Sequence, residues 1–195
     1  GGSVTTALYH RDITDSFLRI FAIDDSDPDY DIVNRIYENA GNSTQTGVQV
    51  LLTQDVGKPW RATANVNWFN NAIDALSTTL LFPTQRPFTL AASTDDTWDV
   101  TFNNQIQLPR AGELQATYIY YGARNIPQGR QRARSSVDLA AKWPIVKDRA
   151  EVLFSFTDIF NDFAIQHEIN GEGFTALYQN FLETQVATVG LRFRF

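Results

Sequence analysis

Through most of this chain apolar residues stand at every second position. Near its end Ala187, Val189, Leu191, Phe193 and Phe195 alternate with Thr188, Gly190, Arg192 and Arg194. That is the period of a β-strand with one oily face and one wet face. Trp60, Ala62, Ala64, Val66 and Trp68 repeat the pattern against Arg61, Thr63, Asn65 and Asn67. So do Trp98, Val100, Phe102, Ile106 and Leu108 against Thr97, Asp99, Thr101, Asn103, Gln105 and Gln107, with Asn104 interrupting the oily face. Shorter runs follow at Leu114 to Tyr120, Val137 to Trp143 and Ala150 to Phe156. At the start, Val4 and Leu8 lead into a β-rich run ending at Ile23, and the charged segment Arg11 to Asp15 inside it predicts a bulge. A second long strand is predicted from Ile32 to Thr53. The sum is an all-β chain, an antiparallel meander of about eight strands.

The connections alternate in length. Those near 54–59, 109–113 and 144–148 are short, and those near 24–31, 70–95, 122–134 and 161–180 are long. Short turns on one side and long loops on the other is the pattern of a transmembrane β-barrel, with the short turns and both chain ends on the periplasmic side. Trp60 and Trp68 are separated by about 26 Å along an extended strand, close to the height of such a barrel's apolar band. Trp60, Trp68, Trp98, Tyr118, Tyr120 and Trp143 are therefore predicted to form an interface belt. The alternative of a soluble ligand-binding barrel would bury the oily face inside. It has little use for Asp99, Asp138, Glu151, Arg192 and Arg194 on the inner face.

Composition narrows the choice further. Aromatic residues make up 13% of the chain while mean hydropathy is only −0.26, a combination expected where alternate residues face lipid and lumen. The net charge of −6 argues against binding nucleic acid. With no cysteine there is neither a disulfide framework nor a thiolate metal site. No apolar run is long enough for a membrane helix, and the opening residues are not expected to be a signal peptide. Methionine is absent even from position 1, so the sequence is expected to be a processed or excised piece.

Candidate chemistry is sparse. His10 and His167 lie far apart without a partner at ligand spacing, so no zinc site is expected. Asp24, Asp25, Asp27 and Asp29 resemble the opening of a calcium loop, but Tyr30 stands where Gly is required and Ile36 where Glu is. They read as a solvated acidic loop. Arg124, Arg130, Arg132 and Arg134 fall in one outer loop, and their guanidinium forks suit lipopolysaccharide phosphates or an anionic ligand. The plainer reading is interface arginines or partners of lumen carboxylates. No nucleophile elbow, phosphate loop or HExxH motif occurs, so no catalytic residue, metal or cofactor is expected.

Four stretches carry a family resemblance. Tyr37-Glu38-Asn39-Ala40-Gly41-Asn42 followed by Thr46-Gly47-Val48-Gln49 resembles a segment of TonB-dependent outer-membrane receptors. Asp158-Ile159-Phe160-Asn161 resembles the segment before their last outer loop, and Thr188 to Phe195 their final strand. Tyr120 to Arg130 is similar to one branch of the family. The resemblance implies that residues 1–195 are a single barrel section, the carboxy-terminal eight strands of a wider barrel that takes up siderophores, vitamin B12 or glycans. The plug domain and TonB box of that family are absent from it. It further implies that Val189, Leu191, Phe193 and Phe195 form the signal read by the barrel assembly machinery. The setting would be the outer membrane of a Gram-negative bacterium, beside lipid, lipopolysaccharide and the rest of the receptor. The rival is a closed eight-stranded barrel with a structural or adhesive role.

Overall fold

The computed structural model describes residues 1–24, 26–30, 32–146 and 149–194. Its strands are β1 (Gly2–Asp24), β2 (Ile32–Val56), β3 (Trp60–Ile73), β4 (Leu76–Leu80), β5 (Arg86–Leu90), β6 (Ser93–Gln107) and β7 (Glu113–Tyr121). They continue with β8 (Arg124–Ile126), β9 (Gly129–Gln131), β10 (Arg134–Val146), β11 (Ala150–Thr157), β12 (Ile165–Gly171), β13 (Phe174–Asn180) and β14 (Val186–Phe193). Eight of them form one antiparallel meander in the order β1-β2-β3-β6-β7-β10-β11-β14. The antiparallel all-β meander expected from the alternation is thus present. The long connections are more ordered than the sequence suggests. β4 and β5 pair as a hairpin, and β8, β9, β12 and β13 unite two separate connections into a four-stranded sheet. Asp25 of the acidic loop, Lys147 and Asp148 of the third turn, and Phe195 lie outside the described residues.

Both faces of the wall follow the period-two pattern. Ala64 pairs with Phe102, Val66 with Val100 and Trp68 with Trp98, all on one face. On the other face Gln49 donates to Asn65 (2.9 Å) and Thr117 to Asn103 (2.7 Å), and Lys142 meets Glu113 at 3.0 Å. The wall's oily face is uncovered: Leu8 is 80% exposed and Val189 70%. The buried apolar side chains Ile20, Ala22, Leu76, Leu80 and Phe88 cluster instead around the β4–β5 hairpin, beyond the aromatic belt. An apolar surface of this extent needs a non-aqueous solvent. The soluble-barrel alternative is thereby corrected, since its core would have to be on the side that carries Gln, Asn, Thr and ion pairs. Asn104, the break in the oily face, accepts a hydrogen bond from the Trp60 indole (3.1 Å), which satisfies it at the interface.

The charged segment of β1 does bulge. Register shifts between Ile13 and Ser16 and again between Ser16 and Phe17, while Asp15 takes a left-handed φ of 51°. The two shifts place one extra residue on each strand, so the ladder resumes, but the packed side changes parity. Below the bulge the odd-numbered Tyr9 reaches across to Asn67. Above it the even-numbered Leu18, Ile20 and Ala22 pack with Ile36 under the hairpin. Gly41 permits this crossing, because a Cβ there would lie 2.4 Å from the Leu18 side chain.

Candidate functional site

The polar face of β1, β2, β3 and β6 lines a groove of about 480 Å³ that includes Tyr9, Arg11, Gln45, Gln49, Asn67, Asp99 and Arg124. Its chemistry is mostly neutral amide and hydroxyl. Tyr9 donates to Asn67 (3.1 Å) and Gln45 to Asn71 (3.3 Å), so the lumen-side groups are tied in cross-strand pairs. Gly47 makes room for the Tyr9 ring, since a Cβ there would sit 2.7 Å from it and 2.6 Å from the Trp68 carbonyl. The glycine of the Thr46-Gly47-Val48 stretch therefore has a packing reason.

The expected belt lies on the opposite face. Trp60, Trp68, Trp98, Tyr118 and Trp143 are exposed, and Tyr120 is half-buried with its ring set edge-on to Trp98 at 5.8 Å. Val189, Leu191 and Phe193 also point away from the lumen side, opposite Phe154, Val152 and Ala150 on β11.

The four loop arginines have four different surroundings. Arg124 forms an ion pair with Asp99 (2.5 Å) and lies over the Phe69 ring. Arg132 is held by Glu168 (2.6 Å) and Gln166. Arg130 is exposed and makes no ion pair among the described residues. Arg134 is stacked over Tyr121 (5.1 Å) and Phe163 (4.8 Å). Two of the four are thus partners of carboxylates, Asp99 on the wall and Glu168 on the loop sheet. The histidines sit on different sheets: His10 touches Thr46 and Asp12, while His167 on β12 packs beside Tyr178 at 5.8 Å.

With alternating faces and an uncovered oily side established, the comparison with known families is decisive. The profile of the outer membrane protein beta-barrel family matches residues 1–193. The chain belongs to that family. Its place is the bacterial outer membrane. No curated protein and no solved structure matches it.

In this outer-membrane barrel, two residues to which pattern reading assigns no role of their own organise the mouth. Asp158 is 2% exposed, adopts φ 45°, and its carboxylate accepts hydrogen bonds from the Asp162 and Phe163 amides and from the Thr184 hydroxyl. It joins the start of the last outer loop to its end. Asn161 is also left-handed, at φ 56°. The Asp-x-x-Asn spacing thus supplies residue types that tolerate this conformation. Asp158→Ala is expected to cost about 2–3 kcal/mol of loop stability by stranding three donors. Limited proteolysis should then cut within 159–184 while the wall strands stay intact.

Gln128 is the second such residue. Its side-chain amide accepts from the Phe21 N–H (2.6 Å) and donates to the Phe21 carbonyl (2.9 Å), at 4% exposure. In an antiparallel ladder both groups of one residue point the same way. Those of Phe21 point to the side of β1 away from β2, so Gln128 occupies an edge that no strand covers. The Asn170 amide bonds to the Gln128 carbonyl (2.8 Å), linking β12 to the same latch. The sequence signal is Gly129, at φ 137° and with Glu168 so close that no Cβ fits.

Proposed function

We propose that this barrel section is part of the wall of a wider, gated TonB-dependent receptor in a Gram-negative outer membrane. Its loops help capture the ligand, a siderophore, vitamin B12 or a glycan, and gating belongs to the rest of the receptor. The observation that carries this reading is the open sheet: among the described residues β1 and β14 form no ladder with each other. Unpaired strand edges are costly in hydrocarbon. β1 has 23 residues and β14 has 8, so pairing them would still leave most of β1 bare. Further strands completing a ring would satisfy both edges, and the amide-rich inner face would then line a wide lumen. The four stretches similar to TonB-dependent receptors lie in the family's order along this wall. The fragment itself is a structural element, without catalysis.

The test is planar-bilayer conductance combined with native mass in detergent. Association with further barrel chain, or conductance through an assembled ring, supports the receptor reading. A monomer that inserts and never conducts would replace it with a closed, filled barrel. Assembly gives a second test. Deleting Phe195 is expected to lower surface yield in cells several-fold by weakening recognition of the last strand, with refolding in detergent unchanged. Normal surface yield would remove the signalling role of Val189, Leu191, Phe193 and Phe195.

A further inference from the structure

Several cations at the mouth have no carboxylate partner among the described residues. Arg19 on β1 and Arg35 on β2 both lie over the Tyr37 ring, at 5.7 and 5.9 Å. β12 rests against β1, bringing His167 to the same region, and Arg134 approaches from β10 on its Tyr121 and Phe163 platform. Among the described residues neither Arg19 nor Arg134 forms an ion pair, whereas Glu168 beside His167 is taken by Arg132. The Arg19 Nε, Arg134 Nε and His167 Nδ1 are all buried without a hydrogen-bond partner. Gln128 ties Phe21, two residues from Arg19, to Asn170 of β12, and Gln131, three residues before Arg134, stands opposite His167. The three nitrogens thus belong to one region, and buried polar groups are almost always paired.

We propose that Arg19, Arg134 and His167 form a binding site for a doubly charged oxyanion, a phosphate group carried by a ligand or by the outer leaflet. Two guanidinium forks match two anionic charges and several acceptor oxygens, more than a single carboxylate offers. The site stands on the outer loops alone and is independent of the receptor reading. On β1, Leu8 is level with Trp68 through Val48, and Arg19 lies well beyond it on the outer side of the hydrocarbon.

His167 supplies the reporter. Burial first, then the charges of Arg19 and Arg134, hold its imidazole below the ordinary histidine range. The groups facing it are Arg19 from β1, Arg134 from β10 and Tyr178 from β13, with Gln131 of β9 opposite it in register. A bound phosphate offsets the two guanidinium charges, so the His167 titration should move up.

The chain has only two histidines, so histidine ring resonances of the protein in detergent micelles are readily separated. Inorganic phosphate, titrated at constant ionic strength against chloride, should shift the His167 signals saturably, raise its titration midpoint and leave His10 still. R19Q and R134Q should each weaken apparent affinity about tenfold or more, the worth of one charge-assisted contact, with partial rescue by R19K and R134K. A His167 response that is unsaturable, matched by chloride or unchanged in both glutamine variants would overturn the site. Lipopolysaccharide with a phosphorylated core, compared with its dephosphorylated form, assigns the source. Competition by the phosphorylated form alone points to the leaflet, and competition by neither points to a free ligand.

Discussion

Phe102→Arg should lower the folding free energy in lipid vesicles by about 2–4 kcal/mol, whereas Thr101→Arg beside it should cost less than about 1 kcal/mol. Phe102 is paired with Ala64, midway between Trp60 and Trp68, and with Tyr118 on the other side. Its ring is exposed on the oily face, so a guanidinium placed there meets hydrocarbon near mid-depth. Thr101 belongs to the opposite face with Asn65 and Ile119, where arginine can reach lumen water. Denaturant titrations of the two variants, run at matched lipid composition, separate facing from mere bulk. A larger loss for Thr101→Arg would mean that the faces are reversed, and equal losses that neither lies in the bilayer. Phe154→Arg, with Ala141 and Val189 as its neighbours, should behave as Phe102→Arg does.

The wall was legible because each of its residues faces one of only two media. Alternation at Trp60 to Trp68 or at Ala150 to Phe156 states the facing directly, and turns end each run. The mouth obeys different rules. β8 and β9 join β12 through His167 opposite Gln131 and Glu168 opposite Arg130, pairings between separate loops for which a linear pattern has no marker. The parity change in β1 is equally hidden, since it depends on compensating bulges opposite each other on two strands. Arg19 and His167 fell in unremarkable positions of the chain, and the arginine-rich loop drew attention to Arg134 together with Arg130 and with Arg124 and Arg132, which are already paired. Asp158 was noticed within a motif, yet its work as a loop tie follows from its contact with Thr184, 26 residues away.

Gln128→Ala should open the mouth without disturbing the wall. The substitution removes both hydrogen bonds that satisfy Phe21 at its uncovered edge, and Phe21 itself is 6% exposed. Stranding a buried donor and a buried acceptor costs about 2–4 kcal/mol in total. That loss is local, because β1 keeps its ladder to β2. Hydrogen exchange at Ile169 and Asn170 should therefore speed up by roughly 30- to 700-fold, while amides of β3 and β6 keep their protection. Gln128→Glu should not rescue the latch. A carboxylate can accept from the Phe21 N–H but has no donor for its carbonyl, and it adds a charge to a buried site. If exchange on β12 were the same in the native protein and Gln128→Ala, the loop sheet would be held by its own ladders and packing. Arg19 and His167 would then owe their proximity to Ile169 and its neighbours, and Gln128 would merely fill space at the edge of β1.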